Sequence, residues 1–62
     1  MVYSEWEKKS ALGVIKQIKK SIELNGELID CWKFYLRTMN RHMVEVMKSL
    51  DDEFMDSILK TI

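Results

Sequence analysis

The residues of this chain able to do chemistry are one histidine, one cysteine and a knot of four carboxylates, and their spacing decides what they can do. A catalytic imidazole needs a carboxylate or thiol held against its ring. Along the sequence, Glu45 three residues after His42 is the one acid in reach, while Thr38 four residues before it offers only a hydroxyl. On a helix His42 falls at the border of the apolar stripe, where a partly exposed boundary residue is the expectation. Cys31 stands near the start of a helical segment, a position that favours a reactive thiolate, but a lone cysteine more often serves as a small boundary hydrophobe. Cys31 and His42 make a poor start on a tetrahedral zinc site within one chain. Asp51, Asp52, Glu53 and Asp56 lack the spaced ligands and central glycine of a calcium loop. Gly13 and Gly26 stand alone, so no glycine-rich phosphate cradle is written either. The expectation is a non-enzyme with no catalytic residue, no metal, no cofactor and no small-molecule substrate.

Charge and aromatic placement carry more. Net charge is zero, yet residues 1–50 hold nine Lys/Arg against six Asp/Glu, while residues 51–62 hold one against four. Lys9, Lys16 and Lys20 line an outer strip of the first apolar-periodic segment. Lys33, Arg37, Arg41 and Lys48 line another on the second, with Phe34 beside Arg37 and Arg41. A basic strip with an interleaved aromatic suits a nucleic-acid binder, since cations meet phosphates and a ring stacks on an unpaired base. Acidic neighbours of these cations make ordinary paired surface the competing reading. Phe34 is the sharper clue: a large aromatic off the buried stripe and near arginines resembles an interface anchor. Its bland alternative is cover by the C-terminal segment, with Met55 and Leu59 on the same side and the acidic tail against the basic strip.

The elements that must position these residues are helices. Ala11, Val14, Ile15, Ile18 and Ile22 fall within about 100° of helical arc, the stripe of a core-facing helix. Ile29, Trp32, Leu36, Met39, Met43, Val46 and Leu50 alternate steps of three and four, a heptad-like seam that Leu28, Tyr35 and Met47 widen. Ser4 with Glu7 reads as a capping box. Asn25-Gly26 between the segments reads as a helix C-cap. Read instead as a hairpin turn, it would set Leu24 opposite Glu27 and Glu23 opposite Leu28. After Leu50 the heptad lapses, and Asp51, Asp52 and Glu53 suit a helix N-terminus better than a C-terminus. A short third helix with Phe54, Ile58 and Ile62 on its buried side is expected there, with a continuous helix carrying a stutter as the alternative.

Size turns this pattern into a constraint. Sixty-two residues allow one domain, residues 1–62. A core this small rarely supplies more than about 3–5 kcal/mol without a disulfide, a metal or a partner, and a single cysteine closes no internal disulfide. No apolar run approaches the roughly 20 residues of a membrane span, and the amino-terminal residues show no signal-peptide stretch, so a cytoplasmic chain is expected. The reading is therefore an all-α antiparallel helical hairpin, about 4–25 and 27–50, with a short third helix at about 51–61. Pairing of two hairpins into a homodimeric bundle would cover the seam; a monomeric three-helix bundle closed by residues 51–62 competes. In length and plan the hairpin is similar to the small plasmid-encoded RNA-binding four-helix dimers, a likeness of architecture from which no residue is carried over. The expected work is that of a regulatory or interaction module presenting Lys33, Phe34, Arg37 and Arg41 to a protein partner. RNA binding by a dimeric bundle, or a purely structural oligomerisation role, are the alternatives.

Overall fold

The computed structural model describes residues 3–62. Every regular element among them is helical: α1 Glu5–Asn25, α2 Asp30–Thr38, α3 Arg41–Leu50 and α4 Asp52–Leu59. At about 1.5 Å per residue the 21 residues of α1 reach about 31 Å. That nearly matches the long dimension of a body measuring 34 × 18 × 18 Å. The three shorter helices fold back along this one rod.

Both ends of α1 follow from side-chain chemistry. The Ser4 hydroxyl accepts from the Glu7 amide at 3.1 Å, and the Glu7 carboxylate accepts from the Ser4 amide at 3.0 Å, closing the capping box. At the other end Gly26 takes φ 79°, and its amide donates to the Ile22 carbonyl at 2.7 Å. Only a residue without Cβ enters that left-handed conformation freely.

The expected helix over 27–50 is two helices. Met39 and Asn40 are extended, with ψ 140° and 155°, and the Asn40 side chain accepts from the Met43 amide at 2.8 Å. Asparagine competes with the backbone ladder and is among the best N-capping residues, so here it starts a new helix instead of continuing the old one. The apolar spacing across the break is unaltered, which is why periodicity alone does not reveal it. The seam is accordingly bent. Ile29 caps α2, Trp32 and Leu36 lie on α2, Met39 is in the link, and Met43, Val46 and Leu50 lie on α3. Leu36 and Val46 are buried, Ile29, Trp32, Met39 and Met43 half-buried, and Leu50 exposed.

The break before the last helix occurs where the acidic cluster implies. Asp51 adopts φ −150° and ψ 78° and its carboxylate accepts from the Phe54 amide at 3.3 Å. Restarting the helix resets its phase. Ile58 is buried as expected and Phe54 and Ile62 half-buried, but Met55, expected on the Phe34 side, is fully buried.

α3 is the middle of the packing, in contact with both α1 and α4. Ala11, Ile15 and Ile18 of α1 meet Val46 and Met47 of α3 and Met55 and Ile58 of α4 in one cluster, with Leu28 and Leu36 closing it. Ala11 is completely buried, and its lone methyl lets the helices approach closely. Each fully buried large side chain contributes roughly 1.5–3 kcal/mol. The chain's own tail thus joins α1 and α3 around the part of the seam formed by Leu36 and Val46.

Two stability predictions follow from this packing. Met55→Ala should cost about 2–5 kcal/mol, enough to unfold much of the population in thermal melts followed by circular dichroism, whereas Lys16→Glu on the exposed side of α1 should stay within about 0.5 kcal/mol. A Cβ at Gly13 would meet nothing within 4 Å, while Gly26 holds a positive φ. Gly13→Ala should therefore raise the melting temperature by about 4–8 °C, and Gly26→Ala should lower it.

Candidate functional site

Two polar clamps and one open surface stand out. The first clamp joins the starts of α1 and α3: Glu7, already the third residue of its capping box, also binds the His42 ring through Oε2. The Tyr3 ring meets His42 edge-on with centroids 5.7 Å apart. The sequence pointed to Glu45 for this role because local spacing finds only neighbours on the same helix; the actual partner lies 35 residues away. The bond from His42, followed by the Ser4 amide, holds the Glu7 carboxyl below its ordinary value of 4.5. The pair sits at the surface, where it fastens two helix ends to each other.

The second clamp centres on Asp51. One carboxylate oxygen caps α4, while the other accepts from Lys19 Nζ at 2.7 Å. The same ammonium lies 5.0 Å from the Phe54 ring centroid, a cation–π distance. Lys19, followed by the Phe54 amide, holds the Asp51 carboxyl below its ordinary 3.8. Two of the four acidic residues are thus engaged, since Asp56 pairs with Lys60 at 3.3 Å.

The open surface is α2. Of the group Lys33, Phe34, Arg37 and Arg41, the first three lie on α2 and the last begins α3. Phe34 and Arg37 are exposed on α2. Lys33 turns toward the inner flank, half-buried, with Nζ 3.9 Å from Asp30. Arg41 begins α3 beyond the Asn40 break, so helical spacing no longer ties it to Phe34. The C-terminal segment does not cover Phe34, because α4 packs on α3; the ring remains 67% exposed. Cys31, expected at a boundary, is exposed too.

What replaces the basic strip is an uncharged one. Cys31, Phe34, Tyr35 and Thr38 are all exposed and follow the i, i+3, i+4, i+7 spacing of a single helix face. Thr38 turns its hydroxyl inward to the Tyr35 carbonyl at 3.0 Å. Tyr35 is steadied by the Trp32 ring, edge-to-face at 5.4 Å. This face is a continuous patch, unlike the two most exposed apolar residues of α1, Trp6 and Leu24, which stand about 27 Å apart along that helix. Four residues at alternating steps could have revealed it in the sequence, but the overlapping seam on the other side of the same helix masked the pattern.

No pocket forms among the described residues, and none of the described helices is long and apolar enough to cross a membrane. Comparison of the chain with protein-family models, with curated proteins and with solved structures gives no match.

The two clamps set an acid limit. A carboxyl that folding makes more acidic stabilises the native state while ionised, and that stability is lost as pH falls through its folded value. The melting temperature should hold as pH falls through the weakly acidic range and decline below the ordinary values of 4.5 and 3.8. Glu7→Gln combined with Asp51→Asn should lower the neutral-pH value and flatten that decline, measured by thermal melts across a pH series.

Proposed function

We propose that this chain is a small non-catalytic interaction module whose α2 is presented, on the scaffold of α1, α3 and α4, to a protein partner. The observation that carries the reading is the uncharged outer face of α2 with Phe34 at its centre, 67% exposed. Water is a poor neighbour for such a face, and interface anchors are enriched in large aromatics rimmed by arginine. Arg37 supplies that rim. Anchors on a helix are also pre-aligned, so little is lost in ordering them on contact. The partner the face fits is another amphipathic helix or a shallow apolar groove.

Nucleic acid is the weaker occupant. Of the cations grouped around Phe34, Lys33 is turned away, half-buried with Nζ 3.9 Å from Asp30. The Asn40 break removes Arg41 from the strip that Phe34 was to share, and a neutral chain exerts little long-range attraction on a polyanion.

Affinity capture with the wild type, Phe34→Asp and Trp6→Ala tests the proposal. Phe34→Asp should lose protein partners that the wild type and Trp6→Ala both retain, with helicity unchanged in all three. Equal recovery from Phe34→Asp would sink it. Titration of labelled structured RNA at two salt concentrations should show no salt-dependent binding.

A further inference from the structure

Charges at the rim of the α2 face select an occupant. Asp30 and Arg37 are seven residues apart, one at each end of the helix and both on the Phe34 side of the face. The Asp30 side chain is fully exposed apart from the long 3.9 Å approach of Lys33, and Arg37 has no ion pair among the described residues. Written as a heptad, Cys31 and Thr38 are a positions, Phe34 is d and Tyr35 e, which makes Asp30 and Arg37 both g. In an antiparallel helix pair g positions face g positions, and charges there set orientation and partner choice.

We infer that the α2 face pairs with the α2 face of a second copy of this chain, antiparallel about a two-fold axis near the middle of the helix. This inference rests on the reading of that face as a docking surface. Seating Cys31 against the second copy's Phe34, and Phe34 against its Cys31, brings Asp30 beside Arg37 of the other chain, and two-fold symmetry makes the contact twice. A parallel pairing sets Asp30 against Tyr35 at e and forms neither ion pair. The arrangement also opposes the two helix dipoles. It is a different dimer from one closed through Leu36 and Val46, which lie inside the single chain. A nine-residue helix offers less than the roughly 1,200 Å² of total area typical of stable complexes, so the association is weak and reversible.

Sedimentation equilibrium up to on the order of 1 mM, the range in which so small an interface forms, reads this directly. The wild type should show a monomer–dimer equilibrium, and Phe34→Ala should abolish it while keeping its helicity. Asp30→Arg alone and Arg37→Asp alone should each weaken self-association by about tenfold, because each places like charges together twice. Mixing the two variants should restore it as a heterodimer, since every rim contact is then again between opposite charges. A short bismaleimide should join the two Cys31 thiols in the wild type and in the mixture, and much less in either variant alone. A wild type that stays monomeric over this range overturns the inference. So do charge variants that associate as the wild type does, or a loss that mixing does not reverse. In each of those cases the broader docking reading still stands if Phe34→Asp loses a heterologous partner in affinity capture; if it loses none, both fall.

Discussion

Burial of α3 between α1 and α4 is the constraint on which the rest depends. Val46 and Met47 are removed entirely from water, in a cluster to which both α1 and α4 contribute. In a chain of this size the net stability is a few kilocalories per mole, so losing either flank would leave too little apolar burial to offset chain entropy. The tail is therefore structural. Met55 and Ile58 supply the second wall, and the helix that carries them exists because Asp51 starts it.

The polar contacts are arranged to make that packing unique more than to make it strong. Exposed ion pairs contribute little net stability, but Lys19–Asp51 and Glu7–His42 each join α1 to a point where another helix begins. Asp51 ends α3, caps α4 and binds α1, so one carboxylate sets the angle at which the tail turns back. Glu7 does the same at the opposite end, holding its own helix's cap and the start of α3. The Lys19–Asp51 contact could not form if the segment from 27 to 50 were one straight helix, since the bend at Asn40 is what returns α3 along α1.

That bend also frees α2. It is held through Leu36 and, less completely, Trp32, while α3 takes the main packing against α1. A helix fixed on one face and bare on the other is a reasonable place to find contact with another molecule, because changes on its outer side cost the fold little. The outer side carries Phe34 and Tyr35, with Asp30 and Arg37 at its rim. Stability resides in α1, α3 and α4, and the open surface is concentrated on the element that contributes least to it.

Local chemistry made the helical class, the Ser4–Glu7 cap, the Gly26 stop and the new start at Asp51 legible in the sequence, because each arises among residues within one turn of one another. The sequence also named most of the buried residues, since a stripe that recurs every three or four positions has to face something apolar. It did not reveal the bend at Met39–Asn40, where a favourable cap defeats an unbroken heptad by a margin that periodicity does not measure. Nor did it reveal Glu7 as the partner of His42, Met55 as core, or the placing of Arg41 on a different helix from Phe34. Those outcomes depend on helix phase after a break and on which segments meet in space. Phase and proximity are settled only when the whole chain closes on its small core.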